Sequence, residues 1–262
     1  MIRLVASDMD GTLVGSYLDR VDPQLYTIIK TLKERGIRFM AASGRQYFNL
    51  RNHFLPVADD IDYLCENGCL VFHEGELLLR EQMREEYARE LLEVLEETPG
   101  YQVLVSGVHT SYILDGNAEF YHMIADELGN RTTLVDDFYH LPEPYFKVAA
   151  WKKDEQEVIA EVPHWQKLFG DRLTAVYSGN HWVDFSPLHV SKGTAISQYM
   201  ERMGYGREEV MAFGDNYNDE TMLDKVKYSF AMRRAPREIR DFAYGTTDNV
   251  KETLLQFFKD IL

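Results

Sequence analysis

The chain has 262 residues and carries 43 acidic against 28 basic side chains, a formal net charge of −15. That length can bury a full core and accommodate one domain plus a substantial insert. The acidic balance argues against nucleic acid and anionic membranes as partners, since both need clustered basic charge. The two cysteines, Cys65 and Cys69, are four residues apart, not the Cys-x-x-Cys of redox or zinc sites. They read as small apolar residues. Met1 leads straight into a strand-like stretch, with no basic segment and apolar h-region. No apolar run approaches the roughly 20 residues a bilayer needs, so a cytoplasmic protein is expected.

In chain order, Leu4-Val5-Ala6 reads as a buried strand that runs into Asp8-Met9-Asp10-Gly11-Thr12-Leu13. Two carboxylates two residues apart at a strand end repel each other, which favours a bound cation or a wet surface. A hard cation such as Mg²⁺ takes oxygen ligands and keeps waters for a phosphorylated substrate. An ionised Asp can also attack phosphorus. The bland alternative is an Asp-Gly strand–turn junction. Asp22-Pro23 opens a helix whose apolar stripe is Leu25, Ile28, Ile29 and Leu32, ended by Gly36. Ile37 to Ala42 is the next strand, followed by Ser43-Gly44-Arg45 and a helix carrying Phe48, Leu50 and Phe54. Tyr63-Leu64-Cys65 is a third short strand. Strands alternating with helices imply parallel pairing and crossover connections.

The middle reads differently. An amphipathic helix from Arg84 to Thr98 stops at Pro99-Gly100. Strands follow at Gln102 to Ser106 and Ser111 to Leu114, then a helix near Glu119 to Leu128. Phe146 to Trp151 is a strand, Asp154 to Leu168 a helix, and Leu173 to Tyr177 and Trp182 to Phe185 are strands. Paired strands of this kind suggest an antiparallel sheet with helices on one face. His109, Tyr112, Asp115, His181 and Trp182 lie near strand ends there, and none of them is assigned a role. The last third resumes the alternation. Ser191 caps a helix with Ala195, Ile196, Tyr199 and Met203, closed by Gly204. Strands at Val210 to Phe213 and Tyr228 to Ala231 precede a tail helix, Val250 to Leu262, with Leu254, Leu255 and Phe258 on one side.

Ligands of open α/β sheets bind beyond the carboxyl ends of the strands. Asp8, Ser43 and Asp215 each follow an apolar strand, so all three are expected at one edge. Lys192 sits in the first turn of a helix, where the macrodipole disfavours a cation unless an anion lies beside it. The alternative is a solvated surface lysine, and Arg45 is expected to be exposed near its loop or to face the insert.

Asp8 to Leu13, Ser43-Gly44-Arg45, Lys192-Gly193 and Gly214-Asp215-Asn216-Tyr217-Asn218-Asp219, in this order, resemble the four motifs of the haloacid dehalogenase-like phosphohydrolases. The Cof-type sugar-phosphate phosphatases are the most similar subgroup. The resemblance implies an α/β fold with a Rossmann-like parallel-sheet core, residues 1–81 and 188–262, and an α/β cap inserted between motifs two and three, residues 82–187, that covers the site and confers selectivity. It implies Asp8 as nucleophile and Mg²⁺ ligand, and Asp10 as acid and then base that also lends its backbone carbonyl to the metal. Asp215 is the remaining metal ligand, supported by Asp219. The Met9 and Gly44 backbone, Ser43, Lys192 and Asn218 would hold phosphoryl oxygens. The expected activity is Mg²⁺-dependent hydrolysis of a small phosphorylated metabolite, such as a sugar phosphate, through an aspartyl-phosphate. Transfer to a second hydroxyl, as in a phosphomutase, and non-catalytic ligand binding are the competing readings. The chain departs from the pattern after its last core strand, where Met232-Arg233-Arg234-Ala235 replaces a small polar pair. Those arginines either recognise a second anionic group or lie solvated, the latter being favoured.

Overall fold

The computed structural model describes residues 1–16, 19–179 and 181–262. The first elements are β1 (Leu4–Asp8), α1 (Pro23–Glu34), β2 (Arg38–Ala42), α2 (Tyr47–His53), β3 (Asp62–Cys65), β4 (Leu70–His73) and β5 (Glu76–Arg80). Next come α3 (Glu85–Glu97), β6 (Tyr101–Ser106), β7 (Ser111–Leu114) and α4 (Ala118–Tyr121), which runs on as a π-helical turn over His122–Glu127. β8 (Thr132–Val135), β9 (Lys147–Lys152), α5 (Glu155–Phe169), β10 (Leu173–Gly179) and β11 (Trp182–Pro187) follow. The chain closes with α6 (Lys192–Met203), β12 (Val210–Gly214), α7 (Tyr217–Lys225), β13 (Tyr228–Met232), α8 (Arg237–Phe242), β14 (Gly245–Thr247) and α9 (Val250–Phe257). Two compact units result: Met1–Arg80 with Ser191–Leu262, and Glu81–Val190.

The first unit is built on a sheet ordered β14-β13-β12-β1-β2-β3-β4-β5. All pairs from β14 to β3 are parallel. Side chains alternate across the pleat, and both faces are covered. Leu4, Ala6, Met40, Ala42 and Ala212 meet Ile196 and Tyr199 of α6, Met222 of α7 and Ile239 of α8. The other face takes α1 against β2 and α2 against β3, with α9 beside α1. Strands buried on two sides explain why β1, β2 and β12 read as continuous apolar runs rather than alternating ones. In α1 the Asp22 carboxylate accepts from the Gln24 N–H at 2.9 Å, and Leu25, Ile28, Ile29 and Leu32 are buried. Each such side chain contributes about 1.5–3 kcal/mol.

β1 is the point from which the chain first walks to β2 and β3, then returns on the other side to β12 and β13. A crevice at the carboxyl edge belongs to such a reversal. The register aligns Asp8 with Ala42 and Ser7 with Phe213, so Asp8, Ser43 and Asp215 leave the sheet at one edge. The antiparallel hairpin β4–β5, turned by Glu74 and Gly75 at φ +52° and +83°, was not among the expected elements. The tail helix is shorter than expected. It stops at Phe257, with Leu254 and Phe258 buried and Leu255 exposed.

The second unit carries a sheet ordered β10-β11-β9-β6-β7-β8. Two expectations are corrected there. β7 and β8 pair in parallel, so the sheet is mixed. Helices also lie on both faces. α3 and α5 pack on Val105, Val148, Ala150, Val183 and Phe185, whereas α4 and its π-turn pack Phe120 and Ile124 on Leu104, Ile113 and Ala149. Apolar residues at consecutive positions, as in Leu104-Val105 and Val148-Ala149, are what a doubly covered sheet requires. Among the described residues no helix is long and apolar enough to cross a membrane.

Candidate active site

Asp8 ends β1 and is buried. One carboxylate oxygen, Oδ1, accepts from Lys192 Nζ at 2.6 Å. The other, Oδ2, is buried with no hydrogen-bond partner. Lys192 also donates to Asp219 Oδ1 at 2.7 Å. The lysine is 1% exposed, so the reading of it as a solvated surface residue is overturned. Two carboxylates compensate its unfavourable place in the first turn of α6. Ser191 holds that turn by accepting from the Thr194 N–H at 3.1 Å. Asp219 is likewise fully buried. Its Oδ2 accepts from the N–H groups of Asp215 and Asn216 at 3.0 and 3.1 Å, which caps α7. Asn216, not Asn218, is the residue before the helix. Asp215 accepts from Thr12 Oγ1 at 3.3 Å.

Ligand atoms of Asp8, Asp215 and Asp219 lie within 4.8 Å of one another. Burial, then the charge of Asp219, push the Asp8 carboxyl up to about 8 against the pull of Lys192, with Asp215 adding to the rise. Asp215 is raised for the same reasons, burial first and Asp219 second, with Arg234 opposing. Burial disfavours the Lys192 ammonium, but Asp219 and Asp8 outweigh that and raise it. Two of the three carboxylates thus share one ammonium, and a buried oxygen of Asp8 has no donor. That donor set fits a hard divalent cation held by Asp8 and Asp215, because Asp219 is already occupied by Lys192 and two N–H groups. Gly11 makes the approach possible. Its φ is +88°, and a Cβ there would stand 2.0 Å from Asp215 Oδ2.

The Asp10 side chain is absent from this cluster. It turns to Arg45, whose Nε donates to Asp10 Oδ2 at 2.8 Å and whose Nη2 donates to Oδ1. Arg45 is buried, contrary to the expected exposed arginine, and Nη1 also donates to Asn49 Oδ1 at 3.2 Å and meets His53 Nε2 at 2.6 Å. Ser43 is buried and its Oγ accepts from the Arg45 N–H at 3.2 Å. The Met9 side chain is buried, and its carbonyl accepts from the N–H groups of Thr12, Leu13 and Val14. Asn218 is exposed in the first turn of α7, and its Nδ2 donates to Asn67 Oδ1 at 3.4 Å. Arg233 pairs with Asp248 at 2.8 Å on the surface. Arg234 is not simply solvated, since its Nε and Nη2 both donate to the Gly11 carbonyl. Sequence reasoning missed Thr12, Asn67 and the Arg234 contact. For Asn67, the Asn-Gly pair after β3 was the available signal, a turn dipeptide beside a strand that ends at the ligand edge.

Residues 5–255 match the family model of the haloacid dehalogenase-like hydrolases, and the chain belongs to that family. A curated relative from Escherichia coli, 5-amino-6-(5-phospho-D-ribitylamino)uracil phosphatase YbjI, is 29% identical over 100% of this chain and 96% of its own length. The HMP-PP phosphatase of Klebsiella pneumoniae is 25% identical over 92% of this chain and 87% of its own. Among solved structures, SMU.1108c from Streptococcus mutans superposes with a TM-score of 0.85 at 28% identity, covering 99% of this chain and 100% of that one.

Proposed function

We propose that the protein is a phosphatase of small phosphorylated metabolites, sugar or polyol phosphates first among them, acting through an aspartyl-phosphate on Asp8. The single observation that carries this reading is the buried Asp8 carboxylate. It is fixed on one side by Lys192, left without a partner on the other, and lies two residues from an Asp held by an arginine. The relative from Escherichia coli is named for a substrate with a phosphorylated ribityl chain, which supports the polyol class.

Asp8 attacks phosphorus as the bond to the leaving oxygen breaks, and Asp10, once protonated and turned from Arg45 toward the substrate, gives that oxygen a proton. Asp10 then takes a proton from the water that attacks the aspartyl-phosphate, which frees inorganic phosphate and restores Asp8. Lys192, fixed by Asp219, keeps Asp8 oriented and places positive charge beside the phosphoryl oxygens. Ser43, the Gly44 N–H and Asn218 are read as further donors to those oxygens. Asp8 and Asp215, with the Asp10 carbonyl, would hold Mg²⁺, which when bound neutralises the carboxylates and the incoming phosphate. The inserted unit, by family resemblance, is read as the element of substrate selectivity.

The test is phosphate release from a panel of phosphorylated metabolites with Mg²⁺ or with EDTA, for the wild type and Asp8→Asn. Turnover that needs both the metal and Asp8, with beryllofluoride inhibiting, is expected. Purified protein that releases phosphate from no member of the panel overturns the reading in favour of ligand binding. Dependence on a bisphosphate activator overturns it in favour of a mutase.

A further inference from the structure

Between β3 and β4 the backbone makes a turn that is left-handed at three successive residues. The φ angles are +50° at Glu66, +55° at Asn67 and +114° at Gly68. L side chains rarely adopt this conformation, and Asn tolerates it better than most. Such a turn persists only where its surroundings over-determine it.

Its surroundings are three of the motif segments. The Glu66 N–H donates to the Arg45 carbonyl at 3.1 Å, and the Asn67 N–H donates to the Ser43 carbonyl at 3.0 Å. The Asn67 amide lies over Gly44, where a Cβ would stand 3.0 Å from Asn67 Nδ2. On its other side Asn67 Oδ1 accepts from Asn218 Nδ2 at 3.4 Å. Gly68 packs against the residue that caps α6, so closely that a Cβ there would stand 2.4 Å from the Ser191 carbonyl oxygen. One turn therefore touches the Ser43–Arg45 segment, the head of the Lys192 helix and the exposed Asn218.

We infer that Asn67 is a positioning residue for phosphoryl recognition, aligning the Asn218 amide with the Ser43–Gly44 segment so that their donors converge on one anion. Asn218 stands exposed on the first turn of α7, and Asn67 is what ties its amide to the Ser43–Gly44 side of the site. The Asn67 oxygen takes one Asn218 N–H, which leaves the other N–H of that amide for a phosphoryl oxygen. Asn67 acts here through Asn218 and the loop, not by attacking or protonating substrate. The inference rests on the phosphatase reading above, in which that edge receives a phosphate.

Asn67→Gly tests it, because glycine keeps the left-handed backbone and removes only the amide. Binding of inorganic phosphate to the Mg²⁺-loaded full chain is measured by calorimetry, beside kcat and KM for the best substrate. The expected result is about a tenfold loss of phosphate affinity and a matching rise in KM, the scale of one misaligned hydrogen bond to a charged group, with kcat within about threefold. Asn67→Asp keeps the acceptor for Asn218 but adds charge beside the anion, and loses more affinity than Asn67→Gly. The double variant Asn67→Gly with Asn218→Ala is expected to bind phosphate no worse than Asn218→Ala alone. Unchanged phosphate affinity in Asn67→Gly, or losses that multiply independently in the double variant, overturns the inference and leaves the phosphatase reading standing. Wild-type protein that neither binds phosphate nor releases it from any substrate overturns both. If Asn67→Gly unfolds early, the comparison is made below its melting transition, with circular dichroism as the folding check.

Discussion

Replacing Arg45 by Met asks whether its guanidinium sets the direction of the Asp10 carboxylate. The Arg45 side chain is 2% exposed and that of Asp10 is 40% exposed, an asymmetry that separates the two halves of the pair. Once Arg45 is gone, Asp10 hydrates where it stands and Met fills part of the volume, but buried Asn49 loses a donor, so Arg45→Met costs about 1–2 kcal/mol of stability. Asp10→Ala instead leaves a buried guanidinium without its counter-charge. It costs about 2–4 kcal/mol, below the full penalty for a broken buried pair because Asn49 and His53 still brace Arg45. Catalysis responds in the opposite proportion to stability. Acid–base assistance by a positioned side chain contributes about 10²–10⁴-fold, and a displacement of about 1 Å forfeits roughly 10²-fold. Arg45→Met is therefore expected to lower kcat by about 10²-fold with KM within about threefold. Arg45→Lys recovers only part of this, because an ammonium cannot make two parallel contacts to one carboxylate. Steady-state phosphate release and urea denaturation of the same preparations give both numbers. Wild-type kcat in Arg45→Met refutes the reasoning, as does a double variant with Asp10→Asn whose losses multiply as if independent.

Further outcomes follow from the same geometry. In EDTA, the Asp8 carboxyl titrates near 8 in the folded chain and near its ordinary acidic value when unfolded. The folded state then holds the extra proton between these limits, so stability falls as pH rises from about 4 to 8. Asp8→Asn is expected to flatten this slope in urea denaturation, and an unaltered slope sinks the assignment. Lys192→Met leaves Asp8 and Asp219 without their shared cation and is expected to cost about 3–5 kcal/mol in metal-free buffer while abolishing turnover. Full activity in this variant would remove Lys192 from the site. Gly11→Ala places a methyl group against Asp215 in a left-handed backbone and costs at least about 1 kcal/mol. The same change should raise the Mg²⁺ concentration needed for half-maximal turnover, and an unshifted metal titration counts against Asp215 as a ligand.

Local pattern alone reveals the order of the main elements and the edge to which they deliver chemistry. Short apolar runs bounded by Asp, Ser and Gly read as strands that end in polar turns, and a strand's carboxyl end is where such folds bind ligands. Asp22-Pro23, Ser191 and Gly204 marked helix ends because capping is a local, short-range preference. The mixed pairing of β7 with β8 and the second helical face of the inserted sheet depended on contacts between separate segments, which local pattern does not encode, whereas the β4–β5 hairpin is local and turns on Glu74-Gly75.

At the site the division is sharper. Residue identities placed Asp8, Asp10, Lys192 and Asp215 among the candidates, but whether a charge is solvated or buried is a property of its neighbours. For Lys192 the alternative of a solvated surface lysine falls only when Asp8 and Asp219, from positions 184 and 27 residues away, close on its ammonium. Arg45 reads as an exposed loop arginine until Asp10, 35 residues earlier, takes its guanidinium. The turn at Glu66 to Gly68 shows no chemistry in its composition. Only packing against Ser43, Asn218 and Ser191 makes it part of the site, because side-chain electrostatics act over a few ångströms of space and not along the chain.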